Sequence, residues 1–429
     1  MEVVDQTPIT KRILTKSIAR RVASNFGWSV VSVAIARGVF FVTNIYLART
    51  LGVSNFGLFA LAQTITYYFW LAVDLGTNMY GIREIARNKE NAEEIINPLL
   101  TLRITAGFVV FSICTLFLFL LDISIMKRLT FVGCSLYLIT YAFYSEWILK
   151  GLEKFKYIAF GSFVSSLTFL ICTIYFVKGN DDLITASFIW SLSYFLGSIS
   201  LLYFLYKRLS IKYTPSFNFK IWFSHVKESI YFTISGSLMV FHQYLPILML
   251  SIFFTSYEVG LFSAPYRTTN SICNLGFLLP MAFYPILSDS YLNDLSAFSK
   301  ANKLLFKIMF VIGFCMSLSG MIYSSDIITF LFGHEYMESI KAFKLLIWLV
   351  LIIFVRYSIG IAILSMGLQR WQALSSGIAL GSNIILGLLL IPKYSIEGAT
   401  ISLLGAEGIS LGMLIFIFVI KGRYRTNKK

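Results

Sequence analysis

Apolar stretches about 20 residues long recur from one end of this 429-residue chain to the other. A helix rises 1.5 Å per residue, so such a stretch spans a bilayer hydrocarbon core about 30 Å thick. Charged residues make up 13% of the sequence, whereas soluble domains carry about 25%. We therefore expect an all-α polytopic membrane protein.

The apolar stretches predict twelve transmembrane helices, arranged as two pseudo-symmetric six-helix bundles around a central cavity. The predicted spans are about 22–48, 58–80, 98–121, 130–149, 157–177, 184–206, 227–254, 259–286, 304–323, 339–365, 371–392 and 398–420. The corresponding domains are an N-terminal tail (1–21), a first bundle (22–206), a linker (207–226), a second bundle (227–420) and a C-terminal tail (421–429).

Basic residues are distributed unevenly over the predicted loops. With the N-terminus placed in the cytoplasm, the inner loops and tails hold 24 Lys and Arg, and the outer loops hold 6. Cytoplasmic segments of membrane proteins carry such an excess. The pattern predicts that both termini are cytoplasmic. It also accounts for the net charge of +15 without a nucleic-acid partner.

Short motifs of the first half reappear in the second. "LGVSNFGLFA" (51–60) is echoed by "VGLFSA" (259–264), 203 positions later, and "GLEKFKYIAFG" (151–161) is echoed by "GLQRWQALSSG" (367–377) at an offset of 216. A weaker echo pairs Lys178 and Ala186 with Lys393 and Ala399. Parallel six-helix repeats are typical of transporters that work by alternating access at the interface between the repeats.

Four arginines lie inside the predicted spans. Arg37 and Arg356 fall near the middle of their helices, Arg267 roughly 12 Å from the outer face, and Arg103 roughly 7–8 Å from the inner face. An arginine at the bilayer centre costs about 2.5–3.5 kcal/mol or more, so the two central ones should face water, an anion or a carboxylate. Arg103 has snorkelling to the inner surface as an alternative.

Three carboxylates, Asp74, Glu146 and Glu407, also lie inside the predicted spans. They are candidates for coupling an ion or for internal ion pairs, for example between Asp74 and Arg37. Four arginines against three acids predict a slightly cationic cavity, which suits an anionic cargo. Arginine in particular binds phosphate through two parallel hydrogen bonds.

Other chemistry is weakly indicated. The sequence contains no GxxxxGK[ST] phosphate loop, its five cysteines form no CxxC pair, and its three histidines lack zinc spacing. We expect no catalytic residue, cofactor or metal, and we interpret the chain as a secondary-type transporter rather than an enzyme.

Four stretches resemble a known family. They are "LARTLGVSNFGLFALAQT" (47–64), "DLGTNMYGIREIAR" (74–87), "VGLFSAPYR" (259–267) and "IPKYSIEGA" (391–399). They are similar to the corresponding stretches of Wzx-type polysaccharide and O-antigen flippases of the multidrug/oligosaccharidyl-lipid/polysaccharide exporter superfamily. The resemblance extends over the whole chain, including its six-plus-six plan.

The resemblance implies a flippase of the bacterial cytoplasmic membrane. Such a protein moves an undecaprenyl-pyrophosphate-linked oligosaccharide, a repeat unit of O-antigen, capsule or exopolysaccharide, from the inner to the outer leaflet. Arg37, Arg267, Arg356 and Arg103 are then candidate cargo contacts. Implied partners are the lipid-linked cargo and membrane lipid, with H⁺ or Na⁺ as candidate coupling ions and other polysaccharide assembly proteins as candidate partners.

One position departs from the family pattern. Many relatives have an acidic residue in the seventh span, where this chain has Pro246 beside Gln243 and Tyr244. Ion coupling would then differ here or depend on the three carboxylates named above. Two alternatives stay open: a multidrug or metabolite exporter of the same superfamily, and a membrane assembly protein that transports nothing.

Overall fold

The computed structural model describes the backbone of residues 8–426 and the side chains of 27–28, 34–234 and 236–420. Residues 1–7 and 427–429, and the side chains of both predicted tails (1–21 and 421–429), lie outside that description. Every regular element within it is a helix. The helices are α1 (Pro8–Asp74), α2 (Thr77–Arg87), α3 (Ala92–Leu120), α4 (Ile125–Ser135), α5 (Tyr137–Ala142), α6 (Glu146–Gly151), α7 (Phe155–Phe176), α8 (Leu183–Leu209), α9 (Phe219–Phe253), α10 (Ser256–Gly276), α11 (Leu278–Asn293), α12 (Leu295–Ile322), α13 (Ser324–Phe332), α14 (Ile340–Leu346), α15 (Trp348–Ser365) and α16 (Gln369–Thr426), with short 3₁₀ helices at Asn180–Asp182 and His334–Ser339.

Within the described residues, nine segments are long and apolar enough to cross a membrane. The chain is therefore an all-helical, multi-pass protein, as expected. Two of the nine, Ala34–Asp74 and Gln369–Ile420, each cover two predicted spans. The predicted fourth span (130–149) is divided among α4, α5 and α6, which are too short to count separately. The number twelve and the two-bundle division remain predictions.

The long helices α1 and α16 each contain a backbone break. Gly52 has φ 70° and ψ 170° inside α1, and Ser395 has φ 46° and ψ −122° inside α16. Positive φ is natural for glycine and uncommon for serine. Each break falls between two predicted spans, where the chain must turn, and helical hydrogen bonding resumes directly on both sides.

The end of the bundle that contains Gly52, called here the Gly52 end, joins the two halves of the chain tightly. A Cβ on Gly57 of α1 would overlap the carbonyl oxygen of Ser256 and would lie 2.6 Å from the nitrogen of Gly260 on α10. A Cβ on Gly260 would in turn overlap the carbonyl oxygen of Val53. Two helices can approach this closely only where both present glycine.

At the opposite end, called the Tyr80 end, a different pair of segments closes the molecule. Ser229 Oγ on α9 donates to the Leu75 carbonyl oxygen at 2.6 Å, and Tyr80 Oη lies 2.9 Å from His225 Nδ1. Gly76 has φ 69°, and a Cβ there would lie 2.6 Å from the carbonyl oxygen of Ser229. Contacts between the two halves of the chain therefore close the molecule at both ends.

The second sequence echo corresponds to a repeated turn. Lys154 N donates to Leu149 O at 2.8 Å, and Leu368 N donates to Ile363 O at 3.1 Å, each bond reaching back five residues. Glu153 and Gly367, just before the donors, have positive φ. The matching turns are 214 positions apart, whereas the sequence motif aligned best at 216. The structural register therefore differs from the sequence echo by two residues.

Candidate functional site

A cavity of about 400 Å³ lies between the two ends, and both halves of the chain contribute to its walls. From the first half come residues of α1 and α5–α8, and from the second half residues of α9 and α10 and Phe332 of α13. Among the described lining residues, the charged ones are Arg37, Arg267 and Glu146. Three of the seven charged residues selected from the sequence therefore meet at one site.

Arg267 on α10 is held in place across the interface between the halves. Its Nη1 donates to Asn44 Oδ1 on α1 at 2.6 Å, and its guanidinium lies 5.4 Å from the centre of the Phe56 ring. Asn44 also donates through Nδ2 to the Phe40 carbonyl oxygen at 2.7 Å. Its amide is thereby fixed with the oxygen towards Arg267. The remaining guanidinium donors are available to an anion.

Arg37 on α1 lines the same cavity and is exposed. Within the described residues it forms no ion pair, and Asp74, its suggested partner, pairs with another arginine. Glu146 lies at a half-buried position 2.8 Å from Lys150 Nζ, one helical turn along α6. Glu146, the acidic residue in the cavity lining, is therefore ion-paired with Lys150.

Uncharged polar groups cover much of the remaining wall. Tyr67 and Tyr244 stack across the interface between the halves with ring centroids 4.8 Å apart, and a second stack joins Tyr141 to Tyr144 at 5.1 Å. Further polar lining residues are Gln63, Ser162, Ser165, Ser166, Ser193, Tyr194, Gln243, Asn270 and Asn274. Hydroxyl and amide groups of this kind can donate to and accept from sugar hydroxyls.

Arg103, a candidate cargo contact, lies away from the cavity lining. Its Nη1 is 3.1 Å from Asp74 Oδ1, its side chain is fully buried, and its guanidinium lies 5.9 Å from the Trp147 ring. The pair joins α3 to the end of α1, next to the Tyr80 end. Arg103 is therefore buried in an internal ion pair with Asp74 and does not snorkel to the inner surface.

Arg356 and Glu407 also form an internal pair, within the second half. Arg356 Nη1 on α15 donates to Glu407 Oε2 on α16 at 2.9 Å, and His242 Nε2 on α9 lies 2.9 Å from Glu407 Oε1. Glu407 is 5% exposed. Arg356 and Glu407 are not among the cavity-lining residues, although the sequence placed Arg356 at mid-membrane with Arg37.

The position that departs from the family pattern, Pro246, lies next to cavity-lining residues of α9. Gln243 and Tyr244 line the cavity, while Pro246 lies inside α9 without interrupting the helix. Asn44, Gln63 and His242 were not selected from the sequence. Each is one of two adjacent polar residues in an otherwise apolar stretch, which is a usable signal, although helical periodicity alone does not show what such a residue faces.

The family comparison identifies the class of protein. Residues 22–291, more than half of the chain, match the family described as polysaccharide biosynthesis protein. The chain belongs to this family, which confirms the resemblance to polysaccharide flippases drawn from the sequence motifs.

Individual relatives extend over most of the chain. A protein of Shigella dysenteriae, named as a candidate O-antigen transporter, is 26% identical over 299 residues, or 68% of this chain and 73% of that protein. A similarly named protein of Escherichia coli (strain K12) is 24% identical over 388 residues, or 87% of this chain and 91% of that protein.

Solved structures share the fold. The lipid II flippase MurJ in an inward closed conformation superimposes with a TM-score of 0.70 at 15% identity, covering 92% of this chain and 87% of that one. An inward-facing multidrug resistance transporter of the MATE family gives a TM-score of 0.68 at 14% identity, covering 93% and 98%. At these identities the likeness concerns the fold alone.

Proposed function

We propose that this protein is a flippase that moves a polyprenyl-pyrophosphate-linked oligosaccharide from the inner to the outer leaflet of a bacterial cytoplasmic membrane. The observation that carries the proposal is the cavity between the two halves, with Arg37 and Arg267 in its wall and Glu146 paired to Lys150. Membership of the polysaccharide biosynthesis family supports it, as do relatives named as candidate O-antigen transporters.

The two arginines would bind the pyrophosphate. Guanidinium groups donate bidentate hydrogen bonds to phosphate oxygens, and these are stronger than hydrogen bonds between neutral groups. The Asn44 contact orients Arg267 before cargo arrives, which lowers the ordering cost of binding. Arg103 and Arg356, each held by a buried carboxylate, would stabilise their own halves instead of contacting cargo.

Alternating access would proceed by exchanging the closures at the two ends. The Gly57–Gly260 contact at the Gly52 end and the Tyr80–His225 contact at the Tyr80 end involve different helix pairs. One closure can therefore open while the other stays shut. In the proposed orientation the termini and the Tyr80 end are cytoplasmic, so cargo enters at the Tyr80 end and leaves at the Gly52 end.

The direction of transport agrees with the membrane potential. A pyrophosphate carries about two negative charges, and moving each out of a negative interior is favourable by about 2.3 kcal/mol per 100 mV. The membrane potential could therefore help transport without ATP. H⁺ and Na⁺ remain candidate coupling ions in this proposal, and the lipid tail stays in the bilayer while the cavity shields the sugars and the pyrophosphate.

A direct test uses proteoliposomes that contain a fluorescently labelled polyprenyl-pyrophosphate oligosaccharide. Transport makes label on the far leaflet accessible to an impermeant quencher. We expect the wild-type protein to raise the quenched fraction above that of empty liposomes. We also expect the Arg37→Ala/Arg267→Ala double variant to reduce it to the empty-liposome level at equal incorporation. A wild-type protein that leaves this fraction unchanged would overturn the proposal.

A further inference from the structure

Four polar side chains meet inside the second half, away from the cavity. His242 Nε2 lies 2.9 Å from Glu407 Oε1, and Arg356 Nη1 donates to Glu407 Oε2 at 2.9 Å. Asn383 Nδ2 lies 3.5 Å from His242 Nδ1 and 3.3 Å from the His242 carbonyl oxygen. Asn383 is 1% exposed and Glu407 is 5% exposed. The cluster joins α9 and α15 to both arms of α16, on either side of the Ser395 break.

The charges of this cluster are balanced except for one proton. Arg356 and Glu407 neutralise each other, so a neutral His242 gives a net charge of zero and a protonated one gives +1. Other titratable groups that interact electrostatically with Glu407 are Tyr266, Cys273 and Tyr357. Tyrosine and cysteine ionise above neutral pH, whereas histidine changes charge between pH 5 and 8. His242 is therefore the group in this cluster suited to bind and release a proton.

Asn383 can serve both protonation states of His242. In the neutral state, with its proton on Nε2, the ring donates to Glu407, and Nδ1 can accept from the Asn383 amide nitrogen. In the protonated state Nδ1 also carries a hydrogen and needs an acceptor. Asn383 Oδ1 is buried without a hydrogen-bond partner, and a half-turn of the amide would bring it to Nδ1 in exchange for the Nδ2 hydrogen bond to the His242 carbonyl oxygen. This otherwise unexplained buried acceptor is what a protonated His242 requires.

The cluster adjoins the cavity through α9. The two residues that follow His242, Gln243 and Tyr244, line the cavity. The Gln243 carbonyl oxygen accepts from Tyr266 Oη at 2.7 Å, and Tyr244 stacks on Tyr67 of the first half. A displacement of α9 at His242 would therefore move the wall that faces the cargo.

We propose that His242, held by Glu407, Arg356 and Asn383, is a proton-binding site and that its protonation controls the position of α9 during transport. The ionised Glu407 already makes its hydrogen bond with His242 charge-assisted, and protonation of His242 adds the attraction between two opposite charges. The proton therefore ties α9 to α16, and its release loosens α9. The transport part of this inference rests on the proposed flippase function, whereas the proton site itself does not.

The proton site is tested without cargo. The protein is labelled with ring-¹⁵N histidine, reconstituted in nanodiscs and followed by NMR from pH 5 to 9. The chain has three histidines, so His242→Gln assigns one signal and His334→Gln, at an exposed position of the Gly52 end, serves as the matched control. We expect the His242 signal to pass between neutral and doubly protonated forms in this range, and Asn383→Leu to displace its midpoint. A His242 signal fixed in one form throughout would overturn the proposal.

Control of transport is tested in proteoliposomes with the labelled polyprenyl-pyrophosphate oligosaccharide. We expect an imposed proton gradient to change the wild-type rate, and the ratio of rates with and without the gradient to fall to about one in His242→Gln. His334→Gln should keep the wild-type ratio. If the wild type transports but His242→Gln responds like the wild type, the control role is wrong and the flippase function stands. If the wild type transports nothing, the flippase function is wrong, and the NMR titration alone decides the proton site.

Glutamine can still donate to Glu407, and equal thermal stability of the variants would confirm that they are folded.

Discussion

Gly57 and Gly260 occupy equivalent places in the two sequence repeats, 203 positions apart, and pack backbone against backbone at the Gly52 end. Parallel repeats, which the sequence echoes predict for this chain, would bring equivalent residues together only close to the axis that relates the halves. The duplicated motif therefore marks the line along which the two halves touch. It explains why a short turn that carries no binding group appears twice in the chain.

The Gly57–Gly260 contact predicts a steric opening of the Gly52 end. A Cβ at either position overlaps backbone atoms of the facing helix, and backbone cannot move aside as a flexible side chain can. We expect Gly57→Ala and Gly260→Ala to increase the distance between spin labels at Ser54 and Glu338, and to slow transport.

Gly412→Ala is the matched control, because a Cβ at Gly412 meets nothing within 4 Å. The distances are measured by pulsed electron paramagnetic resonance in a background without native cysteines. If Gly57→Ala gives the same distance between the labels as Gly412→Ala, the Gly57–Gly260 contact does not act as a closure.

The arginines are predicted to divide into a structural and a cargo-binding class. Removing one member of a buried ion pair leaves an uncompensated charge and costs about 3–5 kcal/mol. We expect Arg103→Met, which leaves Asp74 unpaired, to lower the thermal stability in detergent markedly. Arg37→Ala, at an exposed position, should change the free energy of unfolding by less than about 0.5 kcal/mol while abolishing transport.

The Arg103→Met/Asp74→Asn double variant provides the check, because it removes both charges together. It should recover much of the stability that Arg103→Met loses. A double variant as unstable as Arg103→Met alone would mean that the Asp74–Arg103 pair is not the origin of the loss.

Asn44 offers a test of the charge of the cargo. Asn44→Ala removes the hydrogen bond that orients Arg267, which should weaken anion binding by about 1–2 kcal/mol. Asn44→Asp places a carboxylate at the same position and neutralises Arg267, so it should weaken the binding of a polyprenyl pyrophosphate more than Asn44→Ala does. An exporter of cations would show the opposite order. Titration of the two variants with polyprenyl pyrophosphate in nanodiscs distinguishes these outcomes.

The Tyr80 end should respond to acid. Burial lowers the pKa of His225, an effect opposed by the nearby carboxylates of Glu228 and Glu84. Because its pKa is lower in the closed contact than in water, neutral His225 favours closure. The closed contact is therefore fully favoured above about pH 6.5, and it weakens as the pH falls through the lowered pKa. Spin labels at Arg87 and Lys227 should move apart on acidification in the wild type, and this separation should be smaller in His225→Gln.

Much of the helical architecture follows from hydropathy, because a bilayer requires long apolar helices. The Gly57 and Gly260 motif was also visible in the sequence. The partners of the buried charges could not be predicted from the sequence. Asp74 is a candidate partner of Arg37 by sequence, but it pairs with Arg103 of α3. The position of a residue along a predicted span gives its depth, but not the rotation of one helix against another, which decides such pairings. The same limit applies to His242, whose partners Asn383 and Glu407 lie 141 and 165 positions away in sequence.

The most direct test of the central claim is a cryo-electron-microscopy map of the protein with a polyprenyl-pyrophosphate-linked sugar bound. Charge-assisted hydrogen bonds between guanidinium and phosphate are about 2.7–2.9 Å long. We predict pyrophosphate density at such distances from Arg37 and Arg267, inside the cavity between the two halves. Pyrophosphate bound outside this cavity, with both arginines uninvolved, would contradict the proposed role of the cavity.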